Sequence, residues 1–185
     1  MVTILNKSQK KRYARHTALA EVGVQGQEKL LASRVLIVGA GGLGSPVLLY
    51  LAAAGVGTIG VVDFDKIELS NLQRQIIHRE EGVGTAKVMS AREAIFELNP
   101  EVVVETYRMR LTNNNASELI NAFDLVIDGS DNFTTRYLLN DVCFFSRKPL
   151  ISAALLRFDG QLSTFKPYVP GDENPCYRCI FPSPP

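Results

Sequence analysis

The sequence predicts an α/β protein, a Rossmann-like, doubly wound and mostly parallel sheet with helices on both faces. Three observations carry that expectation. First, the aliphatic run Arg34 to Val38 passes directly into Gly39-Ala-Gly-Gly-Leu-Gly44 and then into an apolar helical stretch, Val47 to Ala54. Glycine suits that junction because the backbone must turn sharply and approach a phosphate with no Cβ in the way. Second, Gly57 to Asp63 is another strand, ending in an acid 19 residues beyond Gly44. At that distance a carboxylate can accept from a ribose hydroxyl. Third, strand-like and helix-like segments keep alternating along the chain, which implies parallel strands buried on both faces.

Each element has its own signal. Lys10 to Ala20 is basic and then amphipathic, with Tyr13, Leu19 and Val22 as contact residues. Gln25 to Ala32 is a short helix, and both belong to an N-terminal helical arm over residues 1–33. The core, 34–153, opens with the two strands just named. A polar connection follows, Asp63-Phe-Asp-Lys-Ile-Glu-Leu-Ser-Asn-Leu-Gln-Arg-Gln75, too elaborate for a simple turn. Gly84 to Asn99 is a long helix by the spacing of Val88, Ala91, Ile95 and Leu98, ended by Pro100. Val102 to Thr106, Leu125 to Asp128 and Leu150 to Ala153 are further strands, separated by helices at Ala116 to Ala122 and Phe133 to Ser146. Gly160 to Phe165 alternates and adds an antiparallel strand.

Bulk composition narrows the function classes. The 185 residues make one domain with a sizeable core, and a formal net charge of +1 gives no global case for a nucleic-acid or membrane surface. Apolar runs are too short to span a bilayer, and Met1 to Arg12 lacks the apolar centre of a signal peptide. Three cysteines without an export signal point to a reducing, cytoplasmic setting.

In open α/β sheets ligands sit beyond the carboxyl ends of the strands. The loops there carry the glycines, Asp63, the segment Ser70 to Gln75, and Asp131, so all four should meet in one crevice. A triphosphate needs cations and donors beyond a glycine turn, and Arg74 and Lys87 offer charge. Asp131 offers a hard oxygen ligand for magnesium.

These stretches, with Arg12-Tyr-Ala-Arg15, Gly26-Gln27, Asp128-Gly-Ser-Asp-Asn132, Arg136 and Cys176-Tyr-Arg-Cys179, resemble the ThiF/MoeB/HesA family, bacterial relatives of ubiquitin-activating enzymes. The match runs from residue 12 to residue 182, and Asp63-Phe-Asp65 is more similar to the molybdopterin-synthase adenylyltransferase (MoeB) type than to the thiazole-pathway type. The resemblance implies that MgATP activates the C-terminal Gly-Gly carboxylate of a ubiquitin-like sulfur carrier as an acyl-adenylate, for molybdopterin or thiamine biosynthesis. It assigns Arg15, Arg74, Lys87 and Asp131 to catalysis, with Arg15 entering from the second subunit of a homodimer. It assigns Gly41, Gly42, Asp63, Ser70, Asn71, Leu72, Gln73, Arg74, Lys87, Asp131 and Asn132 to ATP, and Asp131 also to magnesium. Cys176 and Cys179 match half of a zinc site whose second cysteine pair lies downstream in relatives. Residues 154–185 then correspond to the start of a carrier-docking and zinc region, an antiparallel extension cut short. Gly129 stands where relatives often carry cysteine.

Plainer roles compete with these. Asp63 can cap a strand, Asp65 is structural, Arg74 and Lys87 can be surface charges, and Ser130, Asp131 or Asn132 can cap a helix. His16 and His78 lack metal-ligand spacing and are structural or exposed, and Cys143 on an apolar helix is a core residue. Two other functions stay open: an NAD-dependent oxidoreductase, and a non-catalytic carrier-binding relative.

Overall fold

A computed structural model describes residues 5–171 and 174–183. The first four residues and the final Pro184-Pro185 of the proline-rich end lie outside the described residues. One six-stranded sheet has the order β3-β2-β1-β4-β5-β6. Its strands are β1 (Arg34–Val38), β2 (Thr58–Val62), β3 (Val103–Tyr107), β4 (Leu125–Asp128), β5 (Leu150–Leu156) and β6 (Asp159–Phe165). The first five are parallel and only β6 runs antiparallel, against β5. The chain walks from β1 outward to β3, then returns to place β4 on the other side of β1. That reversal makes a switch point between β1 and β4, and in such sheets ligands bind there, beyond the carboxyl ends of the strands.

Helices follow in chain order: α1 (Lys7–Arg12), α2 (Ala14–Thr17), α3 (Gly23–Ala32), α4 (Gly44–Ala54), α5 (Lys87–Leu98), α6 (Ala116–Asn121), α7 (Phe133–Phe145) and α8 (Tyr177–Ile180). Successive side chains of a strand point to opposite faces, and the core divides accordingly. Val35 and Ile37 of β1 join Ile59, Val61 and Ile127 against Leu48 and Ala52 of α4 and Val88, Ala91 and Ile95 of α5. Leu36 and Val38 join Val62 and Val126 against Leu119 and Ile120 of α6 and Leu139 and Cys143 of α7. The doubly wound prediction therefore holds, and so does the core assignment of Cys143, whose thiol burial pushes up to about 12.

Boundaries move for physical reasons. The arm is not one helix from Lys10: it breaks at Tyr13, whose buried ring lies against Gly55 and whose hydroxyl accepts from Asn99. Leu19, expected to be a contact residue, is exposed. The long helix begins at Lys87 rather than Gly84, because Lys66 and Ala86 form an antiparallel bridge that keeps the preceding backbone extended. β5 continues past Ala153 to Leu156, paired throughout with β6. No helix among the described residues is long and apolar enough to cross a membrane.

Candidate nucleotide site at the switch point

The glycine turn is held from every side. Gly39, with φ +98, donates its N–H to the Val62 carbonyl at 2.8 Å, and a Cβ there would sit 2.7 Å from the Gly129 carbonyl oxygen. A Cβ on Gly44 would sit 1.8 Å from the Gly39 carbonyl oxygen, so only glycine lets α4 start this close to β1. The Ala40 N–H donates to Asp63 Oδ2 at 2.9 Å, and the Asp65 N–H donates to Asp63 Oδ1 at 2.8 Å. Asp63 thus ties the turn to the end of β2. A carboxylate has about four lone-pair sites, so acceptor capacity remains for a ribose. The Gly41 carbonyl takes the Ser45 hydroxyl at 2.6 Å and the Ser45 N–H at 2.8 Å. The Ala40 carbonyl takes the ring of His78 at 2.9 Å.

Those bonds leave the Gly41 and Gly42 amides with no acceptor among the described residues. They lie just before the first turn of α4, where unpaired N–H groups and the helix dipole favour an anion. The stem of Arg74 lies on Gly42, 3.3 Å from the position of a Cβ. Its exposed guanidinium reaches the Ser70 carbonyl at 3.4 Å. Gln75 is buried beside Gly41, and its amide oxygen is the one buried side-chain oxygen or nitrogen among the described residues with no partner.

Lys87 is the first residue of α5, its side chain only 8 % exposed, with Nζ 3.2 Å from Asp65 Oδ2. Asp65 thereby holds the ammonium in an ion pair. The side-chain oxygen of Asn71 accepts the Glu68 N–H at 3.1 Å and caps a tight turn at Leu69–Asn71, with its amide N–H groups unbonded among the described residues. The Ser70 hydroxyl bonds Glu68, Leu72 is half-buried and Gln73 is exposed. Arg110, which no motif marks, stacks its guanidinium 3.5 Å from the centre of the Phe64 ring.

Across the crevice, Asp128 is fully buried. Its Oδ1 accepts the Ser130 N–H at 3.0 Å and hydroxyl at 2.6 Å, and its Oδ2 accepts Arg136 Nε at 3.1 Å and the Ser152 hydroxyl at 3.0 Å. Arg136 also donates to the Ser130 carbonyl at 3.0 Å, so the turn 129–132 is braced from both ends. Asn132 is the cap of α7, accepting the Thr135 N–H at 2.9 Å, which leaves Asp131 out of capping. Asp131 is exposed and makes no hydrogen bond among the described residues. One free carboxylate beside bound phosphates fits magnesium, which keeps several waters and needs few protein ligands.

The glycine turn, Asp63, Arg74, Lys87 and the 129–132 turn are therefore neighbours in space. Arg15 is not among them. It lies exposed on α2, which packs beside α3 at the far end of α4. The cysteine pair lies beside Asn140 of α7. Cys176 and Cys179 face each other with sulfurs 3.5 Å apart where α8 packs on α7. Burial pushes the Cys176 thiol up, but hydrogen bonds from Cys179, the Arg178 backbone and the Asn140 amide outweigh it and bring the thiol below its usual range. No group of three or more histidine, cysteine or carboxylate side chains that could hold a metal ion exists among the described residues.

A Rossmann-type sheet with an anion cradle at its switch point defines a nucleotide-binding α/β protein. The ThiF family matches residues 13–185, and the chain belongs to that family. It is 50 % identical over 184 residues to the adenylyltransferase and sulfurtransferase MOCS3 of Culex quinquefasciatus, covering 100 % of this chain and 41 % of that protein. It is 51 % identical over 180 residues to the sulfur carrier protein adenylyltransferase of Thermus thermophilus, covering 97 % and 66 %. Among solved structures, E. coli MccB with ATP superposes with a TM-score of 0.81 at 26 % identity, covering 97 % of this chain and 55 % of that one. The chain thus spans between about two fifths and two thirds of the length of these curated relatives.

Proposed function

We propose that the protein uses MgATP to adenylylate the C-terminal Gly-Gly carboxylate of a ubiquitin-like sulfur-carrier protein, releasing pyrophosphate. The observation that carries this is the pair of unpartnered amides at Gly41 and Gly42, roofed by the Arg74 stem at the mouth of α4. The names of the relatives, both adenylyltransferases and one a sulfur carrier protein adenylyltransferase, support the same assignment.

The chemistry asks little of the protein in proton transfer. An α-carboxylate, with a pKa of about 3.3–3.7, is already ionised at neutral pH, so attack needs no general base. The barrier is repulsion between that carboxylate and an anionic α-phosphate, and fixed positive charge lowers it. Gly41 and Gly42 donate to the phosphates through their amides. Arg74 and Lys87 supply the charge, Asp63 orients the ribose, and Ser70 to Gln73 with Asn132 line the nucleotide. Asp131 would hold magnesium, which when bound neutralises the phosphates. Arg15 completes the site from the second subunit of a homodimer.

Carrier-dependent ATP–pyrophosphate exchange tests this directly, with candidate Gly-Gly-ending carriers and the Asp131→Ala variant. Exchange should require the carrier and fall by on the order of 100-fold in the variant. Binding of NAD in place of ATP, or no carrier-dependent exchange, would overturn it, and exchange untouched by the substitution would remove magnesium binding from Asp131.

A further inference from the structure

His78 sits behind the glycine turn. It is buried at 6 % exposure, with Nε2 2.9 Å from the Ala40 carbonyl oxygen and Nδ1 3.0 Å from the Ser90 hydroxyl. A carbonyl can only accept, so Nε2 must carry the proton, and Nδ1 of the neutral ring then accepts from Ser90. The Ala40–Gly41 peptide is trans, since no cis bond occurs among the described residues. In a planar trans peptide the C=O and the following N–H point in opposite directions. A carbonyl drawn inward to His78 therefore turns the Gly41 amide outward.

Ser90 stands three residues after Lys87 on α5, one turn along the same face. The imidazole consequently joins the glycine turn to the helix that carries the buried ammonium. We infer that His78 is a positioning residue of the anion cradle, aiming the Gly41 amide at the phosphates and fixing the spacing between that amide and Lys87. This rests on the nucleotide-binding role proposed above.

Two measurements on the full chain test it. Ring 15N NMR of the wild-type protein should find His78 neutral and protonated at Nε2. Calorimetric titration with MgATP should find His78→Leu, which leaves the Ala40 carbonyl unpartnered, binding about tenfold more weakly. His78→Gln, whose amide N–H can reach the same carbonyl, should recover most of that loss. A ring protonated at Nδ1, a folded His78→Leu protein that binds MgATP like wild type, or a glutamine variant no better than leucine would each overturn the assignment. If His78→Leu fails to fold, the ring tautomer in the wild-type protein decides. Wild-type protein that binds no MgATP would instead remove the nucleotide role, and this inference with it.

Discussion

Burial pushes the His78 imidazole below its ordinary value. The Ala40 carbonyl opposes that, the ammonium of Lys87 reinforces it, and the Asp63 carboxylate opposes it again, leaving a net downward shift. The unfolded chain titrates at about 6.5. Below that pH it takes up a proton that the folded protein refuses, so stability falls as pH drops toward the folded value. Above it the contribution is fully present. Urea midpoints should therefore decline from pH 7.5 to pH 5.5 in wild type and decline less in His78→Gln. Equal slopes would mean that the ring titrates freely in the folded state. Nothing in the sequence marks this residue, because a lone histidine without ligand spacing has no pattern. Its meaning comes from Ala40, 38 positions away. Asp63, in contrast, stood out by its distance past Gly44, and Arg74 by the polar run that follows Asp63.

The element that shapes the far wall of the crevice is the junction of β4 and α7. Asp128 is 0 % exposed and its partner Arg136 has a side chain 9 % exposed, so the pair is buried and fully hydrogen-bonded. Removing one member of such a pair leaves an uncompensated charge, at a cost of about 3–5 kcal/mol. Asp128→Ala should lower the unfolding free energy by about that amount and loosen the turn that presents Asp131. Chemical denaturation checks it, and a change under about 1 kcal/mol would place Arg136 in water rather than in the core. Strands such as β1 and β4 could be read from their aliphatic runs because both of their faces are covered. The ends of α5 and the break at Tyr13 could not be. They depend on a bridge between Lys66 and Ala86, and on a tyrosine seated under Gly55. The end of β5 was also missed, since Leu155 and Leu156 are both exposed and show no alternation of buried and polar positions.

At the scale of the whole molecule, the arm and the crevice lie at opposite ends of α4. Tyr13 touches Gly55, just past the C-terminus of that helix, whereas the free amides precede its N-terminus. A helix of 11 residues is about 16 Å long. Arg15, two positions from Tyr13, is therefore too distant to act on phosphates bound by its own chain, and any catalytic role requires a second copy. A two-fold dimer makes such sharing reciprocal. Arg15→Ala and Asp131→Ala should each be inactive alone, because every site then lacks one group. When the two are mixed in equal amounts and allowed to exchange subunits, half the dimers are mixed and half of the sites in those are intact. Exchange activity should return to about a quarter of wild type. Failure to recover, with subunit exchange verified by native mass spectrometry, would exclude Arg15 from acting across a dimer and leave Arg74 and Lys87 as the cations of the site.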